Sequence, residues 1–249
     1  MALLEARALT KAFGALIAVN QVDLVIEKGM IHSIIGPNGA GKTTLFNLLA
    51  GVYTPNSGAI IFQGKDITTL KVHERSHIGI GRSYQVTCIF PELSIRENVR
   101  LAVQSRGKHH FSLLRKFTSL KDVEEKTSAI LDEMGLKRFE GQKAGTIPYG
   151  GQRSLEVAIA LATEPVLLLL DEPTSGMAIE DIPMMIDLIK KVSKDYTTVL
   201  IEHHMNVVMS ISDKITVLHQ GRIIAEGPPE FVQNSELVRC AYLGDARTW

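Results

Sequence analysis

The apolar run "IHSII" (31–35) leads directly into "GPNGAGKTT" (Gly36–Thr44), and "TLFNLLA" (44–50) follows. The run reads as a buried strand, and the stretch after it reads as a helix. The glycines therefore occupy a strand-to-helix loop, where a Gly-rich sequence has a specific use. Glycines let the backbone curl until several N–H groups face one anion, and the positive end of the next helix adds to that field. With the spacing G-x-x-x-x-G-K-T, Lys42 reaches toward β- and γ-phosphates and the Thr43 hydroxyl suits Mg²⁺. Gly36, Pro37, Asn38, Gly39, Ala40, Gly41, Lys42, Thr43 and Thr44 are the candidate nucleotide-binding residues.

A chain committed to such a loop needs an α/β sheet, and the remaining sequence supplies one. "QVDLVI" alternates Val22, Leu24 and Ile26, a half-buried strand, and "AIIFQG" is another. Up to Tyr84 the chain reads as strand-rich apart from the helix after the phosphate loop. "LSIRENVRLAVQ" opens with Ser94 and Glu97 at capping-box spacing and runs helical. "KDVEEKTSAILDEMG" is a second helix with Gly135 as its stop, and "QRSLEVAIALAT" is a third. "VLLLLDE" suits a central parallel strand. Helix "EDIPMMIDLIKKVSK", strand "TTVLIE", helix "HMNVVMSIS" and strands "KITVLH" and "RIIAEG" follow. The alternation predicts an α/β fold with a mostly parallel sheet, an N-terminal β region and a helical subdomain. The nucleotide core is expected at 1–85 plus 152–249, with the helical subdomain at 86–151.

The 249 residues, 45% hydrophobic, suffice for one large domain or a domain with a subdomain. The formal net charge is zero, so no bulk attraction to nucleic acid or anionic membrane is implied. Cys88 and Cys240 lie in unrelated contexts and suggest neither a disulfide framework nor a metal site, which fits a reducing cytosol. Glu5, Arg7 and Lys11 interrupt the apolar N-terminus, which is not read as a signal peptide. No apolar run approaches the roughly 20 residues that span a bilayer. Work at a membrane would go through partners.

"LLLLDEP" places Asp171 and Glu172 at the carboxyl end of a buried strand, the edge where open α/β sheets bind ligands. Asp171 suits Mg²⁺, directly or through water, and Glu172 suits polarisation of an attacking water.

At these residues the chain resembles the ATP-binding subunits of ABC transporters, over nearly its whole length. "GPNGAGKTT" looks like Walker A and "LLLLDEP" like Walker B with its catalytic glutamate. Gln85 in "GRSYQ" looks like the Q-loop glutamine, "IPYGGQRSLEVAIAL" stands at the signature, "TSGMAIED" at the D-loop and "LIEHH" at the switch histidine, His203. Phe13 in "TKAFG" looks like the A-loop aromatic that stacks on adenine, although it could equally be a core aromatic. "RSYQVTCIFPELSIRENV", the "PYG" of the signature and the closing "YLG" resemble the ATPases of branched-chain amino acid uptake systems.

The resemblance implies ATP and Mg²⁺ as cofactors. Thr43, Asp171 and Gln85 would surround the metal, while Glu172, His203 and Gln85 serve hydrolysis. The signature residues Tyr149, Gly150, Gly151 and Gln152 would address the nucleotide of an opposing ATPase subunit, a second copy or a sister chain. The same resemblance implies two membrane-spanning permease subunits and, indirectly, an extracytoplasmic solute-binding protein. Nucleic acid is not an expected partner. The chain would sit peripherally on the cytoplasmic face of the inner membrane. Alternatives are an importer ATPase for urea or short amides, an exporter ATPase, and a soluble non-transport ABC ATPase.

Departures from the family pattern are Pro148 for the signature serine, Gly151 for its glutamine, Ala178 in the D-loop and His204 after the switch histidine. Proline brings neither a hydroxyl nor a backbone N–H. The stretch 104–121 has five Lys or Arg and no acid. It reads either as a surface for a membrane subunit or lipid head groups, or as a packed element with a solvated basic side, and the second reading is preferred.

Overall fold

The computed structural model describes residues 1–83, 88–106 and 118–243. In chain order the strands are β1 (Ala2–Phe13), β2 (Leu16–Glu27), β3 (Ile31–Ile35), β4 (Ser57–Phe62), β5 (Lys65–Asp66), β6 (Ile80–Arg82), β7 (Leu167–Asp171), β8 (Thr197–Ile201), β9 (Lys214–His219) and β10 (Arg222–Gly227). The helices are α1 (Lys42–Ala50), α2 (Val72–His77), α3 (Ile95–Ser105), α4 (Thr118–Glu133), α5 (Tyr149–Leu161), α6 (Ile182–Val192), α7 (Met205–Ile211), α8 (Pro229–Asn234) and α9 (Glu236–Leu243). They fall into two compact units, Met1–Arg75 with Val192–Trp249, and Ser76–Lys191.

In the first unit, β2, β1, β4 and β5 form an antiparallel sheet in that order. Val22, Leu24 and Ile26 are buried on alternate positions of β2, and Ala6 of β1 stands opposite Leu24. The second sheet of this unit is built on β3, which pairs in parallel with β8 and with β9. All five residues of β3 are buried, including two polar ones. Each finds a partner on the adjacent strand or its approach: His32 Nε2 meets Thr216 Oγ1 at 2.7 Å, and Ser33 Oγ meets Ser212 Oγ at 2.6 Å. That is how a strand buried on both faces tolerates polar side chains. The Thr216 hydroxyl donates to Glu226 Oε2 at 2.7 Å, so it accepts from His32, whose Nε2 carries the proton. Burial lowers the His32 pKa to about 4.

Two features of the first unit depart from the sequence expectation. The chain before Tyr84 contains a short second helix, α2, whose one buried side chain is Arg75 rather than an apolar stripe. The segment after Gly227 forms α8 and α9, opened by Pro228 at the cap and Pro229 at the first helical position. Val232, Val238 and Tyr242 from these helices pack with Val208 of α7, Ile35 of β3 and Ile215 and Val217 of β9.

Arg75 braces the helix that follows the phosphate loop. Its side chain is 1% exposed. The guanidinium donates to the carbonyls of Leu48 and Leu49 at the end of α1 (2.6 and 2.8 Å), and to those of Ile67, Thr68 and Leu70 (2.8, 3.2 and 2.9 Å). A cation at a helix carboxyl end satisfies carbonyls that the helix cannot, and opposes its negative pole. Gly51 caps α1 with φ +81°, and a Cβ there would lie 2.8 Å from both Arg75 Nε and the Leu70 carbonyl oxygen.

In the second unit, β6 and β7 pair in parallel, with Arg82 opposite Leu169. The capping box is present: Ser94 Oγ accepts from Glu97 N–H at 3.1 Å, and Ser94 N–H donates to Glu97 Oε2 at 3.0 Å. Ile95, Val99 and Val103 then form the buried stripe of α3. Helix α4 ends just before Gly135, which has φ +67°. Residues 107–117 of the basic stretch lie outside the described residues.

Candidate nucleotide-binding site

The phosphate loop runs from the end of β3 into α1. Its shape requires glycine at two positions. A Cβ on Gly36 would lie 2.2 Å from the Leu218 carbonyl oxygen, and one on Gly41, at φ +100°, 2.2 Å from the Ala18 carbonyl oxygen. Neighbouring backbone holds the loop from outside, since Gly221 N–H donates to the Ala40 carbonyl at 2.9 Å. Tyr242 of α9 reaches it too: burial raises its phenol pKa, and the Gly36 N–H donated to its oxygen opposes that shift.

The intrahelical ladder of α1 begins with Leu45 N–H on Gly41 O at 2.9 Å. The N–H groups of the turn before it point out of the helix end. Gly41 caps that end without a side-chain hydrogen bond, and no acidic residue lies in the first turn. Lys42 is buried and folds back along the loop, its Nζ donating to the Gly36 and Pro37 carbonyls at 2.7 and 3.0 Å. Thr43 is exposed and Thr44 half-buried. Donors converging at a helix start fit a phosphate chain.

Phe13, at the end of β1, is 44% exposed and is no core residue. Its ring meets Tyr53 edge-on with centroids 5.3 Å apart, and Lys11 Nζ lies 5.3 Å from its centroid. Tyr53, which sequence reasoning missed, makes this a pair of rings. His203 follows β8, whose carboxyl end lies beside that of β3 because the strands are parallel with Ile34 opposite Ile201. It is exposed, and its N–H donates to the buried Glu202 carboxylate at 3.1 Å. His204 N–H reaches the same oxygen at 3.5 Å. Glu202, also missed, thus anchors the backbone of the histidine pair.

In the second unit, Asp171 ends β7 and Glu172 follows it, 2% and 7% exposed. Arg82 Nη2 lies 3.4 Å from Asp171 Oδ2, and Asp171 N–H donates to Ser83 Oγ at 3.3 Å. Burial raises the Asp171 pKa, and Arg82 opposes it. The Asp171 carboxylate is an oxygen ligand of the kind a divalent metal takes, and a metal there would compete with Arg82 for it. Glu172 has φ +48°. Among the described residues five other non-glycine residues have positive φ, namely Ala8, Gln21, Gln63, Glu164 and Gln220, and all five are exposed. A buried carboxylate held in the left-handed region is strained, and such strain concentrates at functional positions. Gln85 lies outside the described residues.

The signature opens α5, with Pro148 as the cap and no side-chain hydrogen bond there. Tyr149 Oη donates to the Ser175 carbonyl at 3.2 Å, and Gln152 Nε2 to the Ile147 carbonyl at 3.0 Å. A Cβ on Gly150 would sit 3.4 Å from Asp181 Oδ2, and one on Gly151 3.2 Å from Ile147 Cδ1. The sequence places this motif on a helix start; its seating against 175–181 needed the structure.

Residues 19–175 match the family described as ABC transporter, and residues 222–248 match branched-chain amino acid ATP-binding cassette transporter. The chain is 40% identical to the high-affinity branched-chain amino acid transport ATP-binding protein BraF of Pseudomonas aeruginosa, over 98% of each chain. It is 37% identical to LivG of Escherichia coli, a protein of the same description, again over 98% of each. A solved ATP-binding cassette of an ABC transporter, in its ADP conformation, superposes with a TM-score of 0.86 at 29% identity, covering 98% of this chain and 99% of the other.

Proposed function

The chain belongs to the ATP-binding subunits of ABC transporters, and from that premise we propose that it is the energy-coupling ATPase of an importer for branched-chain amino acids. The fold is the α/β fold of ABC ATPases and the reaction is ATP hydrolysis. What carries the substrate reading is whole-length similarity to BraF, together with the match of residues 222–248 to the branched-chain group. Among the described residues no helix is long and apolar enough to cross a membrane; in this reading coupling runs through permease subunits.

The proposed division of labour follows the chemistry. Phosphoryl transfer to water needs positioning and charge balance more than covalent help. Lys42 and the N–H groups of the loop hold the β- and γ-phosphates. Phe13, with Tyr53 beside it, offers a ring face to adenine. Glu172 orients the attacking water, and His203 hydrogen-bonds the γ-phosphate. Bound Mg²⁺ would be held by Thr43, Asp171 and Gln85 and would supply positive charge at the phosphate oxygens. One chain carries one phosphate loop and one signature, so two ATPase subunits would pair head to tail, each signature facing the other's nucleotide. The functional division is a core of 1–85 with 152–249 and a helical subdomain of 86–151. The permease pair would place the subunit on the cytoplasmic face of the membrane, with an external binding protein delivering solute.

The test is reconstitution in vesicles with the permease pair and solute-binding protein encoded beside it. Leucine, isoleucine or valine uptake that depends on ATP supports the assignment. Uptake of urea or a short amide instead, or export, would replace it with the corresponding alternative.

A further inference from the structure

Helix α5 contains an ion pair that the proposed chemistry does not use. Arg153 Nη1 lies 2.8 Å from Glu156 Oε2, with the two side chains 4% and 5% exposed. A pair so deeply buried is costly to desolvate and demands further hydrogen bonds. Both partners have them. Glu156 Oε1 accepts the Cys88 N–H at 2.9 Å. Arg153 Nη2 reaches the Ser175 carbonyl at 3.5 Å, and its guanidinium lies 5.1 Å from the centre of the Tyr149 ring. The Tyr149 hydroxyl donates to that same Ser175 carbonyl.

These contacts join three pieces of chain. Cys88 comes three residues after Gln85, Ser175 three residues after Glu172, and Tyr149 is the first residue of the signature helix. Ser175 N–H in turn donates to the Glu172 carbonyl at 3.0 Å, which closes the turn that holds Glu172 at its positive φ. A packed pair of this kind transmits displacement because close-packed interiors shift between discrete arrangements.

We propose that Arg153 and Glu156 are positioning residues for hydrolysis: the pair fixes the signature helix at once to the segment after Gln85 and to the turn after Glu172. The proposal rests on the ATPase reading given above. Neither side chain touches nucleotide in it. Glu156 fixes the backbone at Cys88, three residues after Gln85 in sequence, and Arg153 sets the turn behind Glu172. Losing either disorders the geometry of the hydrolytic step more than nucleotide capture, which belongs to the phosphate loop.

The experiment compares wild type, Glu156→Ala, Glu156→Asp and Arg153→Met in the assembled transporter. It reads ATP affinity, kcat and KM per folded subunit, and amide hydrogen exchange at Cys88 and at 172–176. Glu156→Ala is expected to lower kcat at least tenfold while ATP affinity stays within threefold. Exchange at the Cys88 amide rises in the same variant, and Glu156→Asp recovers part of kcat. Arg153→Met is expected to raise exchange at 172–176. Should Glu156→Ala fail to fold, Arg153→Met and Glu156→Asp carry the same split between kcat and affinity. A kcat per folded subunit within twofold of wild type in Glu156→Ala or Arg153→Met would overturn the proposal, as would equal losses in affinity and kcat or unchanged exchange at Cys88 in Glu156→Ala. Absence of ATP hydrolysis in the wild-type complex would instead strike the ATPase reading itself.

Discussion

Replacing Arg75 by Met tests whether the end of the phosphate-loop helix depends on a buried cation. The five carbonyls bound by Arg75 differ in what they retain. Leu48 O keeps the Gly51 N–H at 3.2 Å, and Ile67 O keeps the Leu70 N–H at 3.0 Å. Thr68 and Leu70 are half-buried and can take water. Leu49, fully buried, loses the guanidinium and gains nothing. One orphaned buried carbonyl costs ~1–3 kcal/mol, and each charge-assisted bond exchanged for water costs ~1 kcal/mol more. Removing a charge whose pKa burial has already lowered to about 10 offsets part of this. The expected loss is ~3 kcal/mol. Arg75→Lys keeps the charge but has only three donors for five acceptors, so it should recover less than half of the loss. Urea unfolding followed by circular dichroism measures both, with an unchanged slope and a lower midpoint expected. A loss under ~1 kcal/mol for Met, or full recovery with Lys, would refute the hydrogen-bond account.

Further outcomes follow from other parts of the molecule. Glu172→Gln should cut ATP turnover by at least ~10²-fold in the assembled complex while ATP still binds, and unchanged steady-state hydrolysis would remove Glu172 from its role. Lys42→Ala should weaken binding of ATP itself, read by fluorescent-nucleotide titration, because it deletes a charged phosphate donor. Gly41→Ala drives a Cβ to 2.2 Å from a backbone oxygen; lost nucleotide binding together with a lower Tm is expected, and wild-type affinity would contradict the packing argument. His32 is neutral in the fold, with its pKa lowered to about 4 from 6.5. The unfolded chain therefore binds the extra proton first, and stability present above pH 6.5 is lost progressively as pH falls toward 4, by ~3 kcal/mol. His32→Asn should flatten that slope in urea melts taken across the same range, and an unaltered slope would assign the acid sensitivity elsewhere.

How much of this was legible follows from the range of each interaction. The strand, loop and helix around Gly36–Thr44 are specified within twenty residues, and so is the Ser94–Glu97 capping box, because the deciding contacts are local. Asp171 and Glu172 were readable from an apolar run ending in acids. Arg82 beside Asp171 was not, since the pairing spans 89 residues and nothing near Arg82 signals it. Arg75 escaped for a different reason: an arginine that is buried by carbonyls contradicts the usual link between charge and surface. The helix bearing it shows no apolar stripe, so periodicity had nothing to detect. Helices α8 and α9 had a signal in Pro228–Pro229 that the sequence reading did not use.

The phosphate loop precedes much of what surrounds it. Leu218 sets the wall that excludes a side chain at Gly36, Gly221 donates to Ala40, and Tyr242 meets Gly36 from α9. During synthesis these residues leave the ribosome some two hundred positions after the glycines they support. A nascent chain therefore carries the motif through the synthesis of β4 to β9 without the frame that shapes it. Long-range closure of this kind slows folding. It also means that the subunit gains its nucleotide cradle only after Tyr242 has been made, so a chain terminated before that residue lacks a finished ATP site.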